Sequence, residues 1–375
     1  MKNLTNQLPN RYKWVDYARG ISILLVVYRH VFEGLKRNGA NAADYSFLET
    51  MNLFFFSFRM PLFFVIAGFF VQAGFAKRGI GGYVKHRAAT ILYPFVLWGF
   101  VQITLQLLFS GVTNSQRSAV DYLNLFIFPR EIDQFWYLLA LFNVSALYVI
   151  VTSTLKLKNN QQLMVGIFLY LLGMLVDYFG WSIGFAYDIL HYYIFLAVGE
   201  FVSEFLFKRE TLEKMSSTKY VAFGLPLFVA AQYLFLNINQ RHNSFIYVEK
   251  YLSVLFLFIA LVGVFYMLCL SMFLARTFKE SWLSFIGRHS LQIYVLHVIV
   301  SSACRTVLVK FLGINSFPLL LVLCITVAVI VPVIIEMAAN KLGMHYLFSL
   351  AKYEKKDSAV QQNKGVQEMS QSLQS

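Results

Sequence analysis

The chain has 375 residues, of which 58% are hydrophobic and 14% charged, and its repeated apolar runs are long enough to cross a membrane. This composition excludes a set of soluble domains and predicts one all-α, polytopic integral membrane protein. The formal net charge of +13 is typical of the lysines and arginines that orient membrane loops, so we do not expect nucleic-acid binding.

Apolar runs predict about ten transmembrane helices. They cover residues 18–36, 47–75, 88–110, 134–153, 163–179, 182–206, 219–237, 251–275, 288–309 and 317–338. Ten spans place both termini on one side, and 22 of the 32 lysines and arginines then fall on that side. The positive-inside rule therefore predicts cytoplasmic termini. We expect a cytoplasmic N-terminal segment at 1–17, a transmembrane domain at 18–350 and a disordered polar tail at 351–375.

The first predicted helix, within DYARGISILLVVYRHVFE, carries charged groups in an apolar sequence. Arg19 and His30 are about 16 Å apart along such a helix, so one lies at a membrane face and the other lies deep. His30 suits a general base or an acyl-accepting imidazole, although a structural histidine bonded to a neighbouring carbonyl is an equal alternative. Arg29 points about 100° away and is expected to pair with Glu33 one turn later.

The second predicted helix contains another charge inside an apolar run, Arg59 in MNLFFFSFRMPLFF. Pro61 follows at once and removes a backbone donor, so this arginine either lines a cavity beside a broken helix or forms a structural salt bridge. Gly68 favours close packing against another helix.

The segment KRGIGGYVKHR, residues 77–87, is predicted as a basic cytoplasmic loop. Lys85 and Arg87 would then stand at the N-terminus of the third helix, where free N–H groups and the helix dipole attract phosphate. Orientation of the chain and contact with anionic membrane lipids are the alternative roles for this charge.

Two later segments add aromatic and titratable candidates. Trp136 and Tyr137 in QFWYLLALF fit an aromatic belt at the membrane surface or a stacking surface for a sugar. Tyr294 and His297 lie one turn apart in FIGRHSLQIYVLH, and a second deep histidine favours a polar cavity. The three cysteines have no metal-ligand spacing, and no metal site is expected.

Four of these segments together resemble the membrane-bound acyltransferase-3 family. They are VDYARGISILLVVYRH, FRMPLFFVIAGFF, QFWYLLALF and FIGRHSLQIYVLH, in the order that the family shows. The resemblance implies a multi-pass protein of a bacterial cell membrane that moves an acyl group, usually acetyl, from cytoplasmic acyl-coenzyme A to a hydroxyl of a cell-surface polysaccharide or glycan precursor. The family's arginine and its essential histidine map to Arg19 and His30.

A hypothetical mechanism assigns roles to the other candidates. The family often shows Arg-x-x-Arg entering the third helix, whereas this chain has only Arg87 there, so the donor phosphates would rely on Arg19, Lys85 and Arg87. Arg59 and His297 are expected to stabilise the oxyanion. The acceptor is expected to contact the aromatic side chains already named, Trp136, Tyr137 and Tyr294.

Some relatives carry an appended extracellular domain, which we do not expect here, so the protein would complete the transfer itself or with separate polysaccharide-assembly proteins. Two other functional classes stay open: a transporter or flippase of an anionic lipid or glycan intermediate, whose path the buried charges would line, and a non-catalytic membrane scaffold. Only the enzyme would transfer label covalently from acetyl-coenzyme A.

Overall fold

A computed structural model describes residues 12–37, 45–110, 116–278 and 281–351. The fold is all-α, with 85% of its residues helical and no strand in these four ranges. The predicted polar tail lies almost wholly outside the described residues, and the side on which the termini lie stays a prediction.

Sixteen α-helices follow one another along the described part of the chain. They are α1 (Lys13–Arg37), α2 (Ser46–Phe54), α3 (Phe56–Gly68), α4 (Val71–Arg87), α5 (Tyr93–Leu108), α6 (Asp121–Ile127), α7 (Trp136–Leu155), α8 (Asn159–Phe179), α9 (Ala186–Leu206), α10 (Arg209–Met215), α11 (Thr218–Arg241), α12 (Tyr247–Tyr251), α13 (Ser253–Thr277), α14 (Trp282–Arg288), α15 (Ser290–Thr306) and α16 (Phe317–Lys341). Two π-helical segments, Ala88–Leu92 and Val307–Phe311, follow α4 and α15.

Nine helical stretches in the described ranges are long and apolar enough to cross a membrane, which confirms a polytopic membrane protein. The first of the ten predicted helices, α1, is 25 residues long but carries too many charges to meet the same criteria. It packs against α3, α13, α14, α15 and α16, and no residue from 14 to 35 is exposed. Because its neighbours shield α1 from lipid, this helix can carry charged side chains in the interior of the protein.

The predicted basic loop at 77–87 is wrong as a loop, because these residues lie in α4. Gly79 breaks the helix with a φ of 66°, but the chain is helical from there through Arg87, the π segment and α5. The glycines of the segment suggested a loop, whereas only Gly79 adopts a left-handed φ. Arg87 therefore stands inside a continuous helix, and the helix N-terminus that we expected to attract phosphate does not exist there.

Glycines set the closest approach between helices α3 and α9, as predicted for Gly68. A Cβ on Gly68 would lie 2.2 Å from the carbonyl oxygen of Leu196, and a Cβ on Gly199 would lie 2.1 Å from that of Val65. The obstacles are backbone atoms, so a side chain at either position would push the two helices apart.

We predict that Gly199→Ala lowers the stability of the folded protein by about 1–3 kcal/mol, the usual cost of overpacking. Thermal unfolding of the detergent-solubilised protein, followed by size-exclusion chromatography, measures the change. Gly81→Ala is the matched control, because a Cβ there meets nothing within 4 Å. Equal melting temperatures for the two variants would contradict the close helix contact.

Candidate functional site

A cavity of about 830 Å³ opens beside the C-terminal half of α1, and we call it the His30 cavity. It is bordered by α1, α3, α5, α9, α12, α15 and the turn at Pro129–Glu131. Its lining mixes aromatic rings with ionisable and amide side chains. Such a lining is unusual within a membrane domain and marks a site for a polar ligand.

His30 lines this cavity, and no hydrogen bond to its ring exists within the described part of the chain. Its ring packs edge-on against the ring of His297, with 5.1 Å between centroids. The structural alternative, a histidine held by a neighbouring carbonyl, therefore does not describe His30. Its ring nitrogens are available to a ligand in the cavity.

His297 differs from His30 because its hydrogen bonds fix its tautomer. It is fully buried, and its Nδ1 donates to the carbonyl oxygens of Tyr294 (2.8 Å) and Ile293 (3.1 Å). The neutral ring then has its lone pair on Nε2, which is buried without a hydrogen-bond partner. Neutral His297 has no further N–H to donate, so its geometry favours contact with His30 over the oxyanion role that we expected.

Arg59 is 3% exposed and lines the same cavity from α3. Its Nη1 donates to the carbonyl oxygen of Leu25 (3.2 Å) and weakly to Oδ1 of Asn52 (3.4 Å). The Asn52 amide in turn donates to Oε1 of Glu33 (3.1 Å). Its other guanidinium nitrogens have no bond among the described residues, and no carboxylate there forms a direct salt bridge with it. Of the two alternatives for Arg59, the structure therefore favours the side chain that lines a cavity.

Arg29 also faces the His30 cavity, although we expected it to point away from His30 and to pair with Glu33. The cavity borders a wide arc of α1, so neighbours 100° apart on the helix, Arg29 and His30, both reach it. No salt bridge joins Arg29 to Glu33 in the described structure, because Glu33 accepts from Asn52 while the Arg29 guanidinium lies 4.9 Å from the Phe56 ring.

A second cavity, of about 310 Å³, lies beside the N-terminal half of α1, and we call it the Arg87 pocket. Arg19, Arg87 and Tyr137 line it. Arg87 lies 5.8 Å over the Tyr83 ring and donates weakly from Nε to Ser145 Oγ (3.4 Å), while its buried Nη2 has no partner among the described residues. Lys85 is exposed and lines neither cavity.

Tyr294 lines both cavities, and it is packed between other candidate residues. Its ring lies 5.2 Å from that of Tyr137 and 5.8 Å from that of His297, and its hydroxyl donates to the carbonyl oxygen of Gln134. Trp136 lines only the His30 cavity. The three aromatic residues that we expected at the acceptor therefore occupy different places: one in each cavity and Tyr294 at the boundary.

The sequence reasoning missed a polar network on the wall opposite α1. Asp133 Oδ2 accepts from Gln102 (3.0 Å), Gln106 (3.0 Å) and Arg117 (2.9 Å). Asp133 also has a left-handed φ of 48°. The available signal was the i, i+4 pair of glutamines within an apolar span, which side by side on one helix face indicate a polar partner.

Arg130 forms a second group on that wall. Its guanidinium donates to Asp188 Oδ1 (2.8 Å) and lies 4.6 Å from the Trp136 ring and 4.7 Å from the Tyr187 ring. Withdrawal from water lowers the pKa of Arg130, but the Asp188 carboxylate outweighs it and keeps the pKa above the ordinary value. Arg130 is therefore a fixed cation that covers one face of Trp136.

These features define a multi-pass membrane protein with two polar cavities at different levels of one central helix. A model of the acyltransferase domain matches residues 12–337, so the chain belongs to this family of acyltransferases. The chain is similar to the nodulation protein NolL of Mesorhizobium japonicum, with 29% identity over 133 residues, a match that covers 36% of this chain and 34% of that protein. The match thus spans about a third of that relative's length. No solved structure matches the chain.

We predict that diethyl pyrocarbonate modifies His30 but not His297 in the folded protein, because only the first ring lines a cavity. Peptide mapping by mass spectrometry after brief treatment measures both sites. The exposed His242 serves as the internal positive control. Equal labelling of the two deep histidines would show that the cavity boundary is misplaced.

Proposed function

We propose that this membrane acyltransferase takes its acyl group from acyl-coenzyme A and transfers it, as acetyl, to a hydroxyl group of a cell-surface glycan or its precursor. The observation that carries the proposal is the unbonded His30 ring in a polar cavity that shares a wall with an arginine-lined pocket. We place the protein in a bacterial cell membrane, as the resemblance of its motifs implies.

The Arg87 pocket suits the phosphate-bearing donor. Arginine recognises phosphate by paired, charge-assisted hydrogen bonds, and the buried Nη2 of Arg87 lacks an acceptor within the described chain. Arg19 supplies a second cation to the pocket, and the exposed Lys85, two residues before Arg87, offers charge for the first encounter. Tyr294 lines both cavities, so the thioester end of the donor would pass its ring on the way from this pocket to the His30 cavity.

The His30 cavity suits a glycan acceptor. Trp136 and Tyr192 provide apolar ring surface, while Gln102, Gln106 and Glu249 provide acceptors and donors for hydroxyl groups. A volume of about 830 Å³ lies within the range of cavities that enclose a small-molecule ligand.

In the proposed reaction, a ring nitrogen of His30 removes the proton of the acceptor hydroxyl as its oxygen attacks the thioester carbonyl carbon. The N–H groups of Arg59 that face the cavity stabilise the negative charge on the carbonyl oxygen. Collapse of this intermediate breaks the carbon–sulfur bond, and the thiolate leaves with the proton from His30. His297 holds the His30 ring by contact.

His30 has a second possible role with the same atoms, in which it first accepts the acyl group and then passes it to the hydroxyl. Radiolabelled acetyl-coenzyme A separates the two roles. A relay leaves label on the protein when the acceptor is absent, and a general base does not. A transporter would leave no covalent label on protein or glycan.

We predict that His30→Ala lowers kcat by about 10²-fold to 10⁴-fold, the usual contribution of a general base, while acyl-coenzyme A still binds. Transfer of radiolabelled acetyl by the purified, membrane-reconstituted protein gives kcat, and equilibrium dialysis gives donor affinity. His242→Ala is the control, since it changes a histidine that lines neither cavity. Full activity of His30→Ala would refute the assignment.

Arg87→Ala should act on a different kinetic constant. Because Arg87 binds the donor far from the reacting bond, its loss raises KM for acyl-coenzyme A by about tenfold or more and changes kcat little. Arg276→Ala, which removes an arginine outside both cavities, should leave KM unchanged. A fall in kcat at unchanged KM would show that Arg87 acts on the reacting bond and does not bind the donor phosphates.

A further inference from the structure

The α1 side of the His30 cavity carries more positive than negative charge. Arg29, Glu33 and Arg37 lie four residues apart on α1 and line the cavity. Arg305 reaches the same wall from α15, where its Nη1 donates to the carbonyl oxygen of Gly34 (3.0 Å). Three arginines and one glutamate therefore form this wall, in addition to Arg59, to which we assign the oxyanion.

Arg29 is less exposed than Arg37 and, unlike Arg305, makes no hydrogen bond among the described residues. Its guanidinium makes no hydrogen bond, and no carboxylate oxygen lies within 4.0 Å of it, in the part of the chain that the structure describes. It lies 4.9 Å from the centroid of the Phe56 ring, and Glu33 and Glu249 act on it only at longer range. A guanidinium that lines a cavity without protein acceptors presents its N–H groups to the acceptors of a ligand.

Glu131, Asp133 and Glu249 also line the cavity, and none of them bonds to Arg29 among the described residues. Asp133 already accepts from three side chains. Glu249 faces the cavity and attracts Arg29 without bonding to it. The cavity is therefore polarised, with unbonded donors beside His30 and acceptors opposite.

We propose that Arg29 binds an anionic group of the acceptor, a phosphate or a carboxylate, and so brings a hydroxyl of the same molecule to His30. This inference rests on the proposed function, whose acceptor it narrows to acidic molecules. Phosphate and carboxylate share the geometry that matters, two oxygens that match the paired N–H groups of a guanidinium. The group could come from a lipid-linked carrier phosphate or from an acidic sugar.

Binding of matched probes to the full-length protein in nanodiscs tests the proposal. The probes are radiolabelled polyprenyl phosphate against polyprenol, and a glucuronate-containing tetrasaccharide against a glucose tetrasaccharide. We expect one anionic probe to bind about tenfold to hundredfold more tightly than its neutral counterpart, the usual effect of a charge-assisted hydrogen bond. The pair that shows the preference identifies the source of the anion.

Three variants make the test specific. Arg29→Gln should abolish the preference for the anionic probe, Arg29→Lys should restore only part of it because an ammonium lacks the paired N–H groups, and Arg276→Gln should leave it unchanged. An unchanged thermal-unfolding midpoint in detergent shows that Arg29→Gln is folded. Equal binding of charged and neutral probes by the native protein, or an undiminished preference in Arg29→Gln, would overturn the proposal.

The same measurements separate this inference from the proposed function. Charge-selective binding that depends on Arg29, together with an absence of acetyl transfer, supports the anion site and refutes the acetyl donor. Transfer to a neutral glycan that is equally fast in Arg29→Gln supports the acyltransferase reaction and refutes the anion site.

Discussion

A charged side chain can lie inside a membrane protein only where other groups replace the water that it loses, and this constraint shapes the whole structure. The charges of α1 would be prohibitive on a helix that faces lipid. Helices α3, α13, α14, α15 and α16 pack around α1 instead, and no residue from 14 to 35 is exposed. The peripheral helices are correspondingly apolar, with α8 and α11 presenting large hydrophobic side chains at their surfaces. The central helix can thus carry the chemistry because its neighbours carry the contact with lipid.

The tight helix contacts serve the same constraint. Gly20 and Gly287 let α1 and α14 approach until a Cβ on Gly287 would lie 1.8 Å from the carbonyl oxygen of Asp16. Close backbone contact at this end of α1 contrasts with the cavities beside its two halves. The tight contact between α1 and α14 fixes the position of α1, and so of His30, relative to the cavities that bind the ligands.

Much of the fold could be predicted from the sequence, because spanning length and hydropathy are local properties. Only two residues separated the fifth and sixth predicted helices, 163–179 and 182–206. The division is correct, because Gly180 ends α8 with a φ of 67°. The helical course of residues 80–87 was missed because a glycine-rich sequence has the same local pattern in a loop and in a helix. Family membership was predictable from four ordered motifs and is confirmed by the match over residues 12–337.

The site could be predicted only in part, because its members meet through tertiary contacts. His30 and His297 are far apart in sequence, and only the folded chain shows that their rings touch and that they differ in hydrogen bonding. The roles of Arg19, Lys85, Arg87 and Arg59 stay predictions. Arg29 was assigned to a structural pair because helix geometry alone does not reveal how wide an arc of α1 the cavity borders. The Asp133 network required contacts between two separate segments, which periodicity does not report.

The two π segments have a consequence for how such a site can change. Ala88–Leu92 begins directly after Arg87, and Val307–Phe311 begins two residues after Arg305, so a widened turn accompanies an arginine in each cavity. A π turn holds an extra residue relative to an α turn. Deleting or inserting one residue there would rotate the side chains on one side of the turn by about 100° relative to those on the other. Single-codon length changes at these points would thus turn a cation towards or away from its cavity and change ligand preference through chain length instead of residue identity.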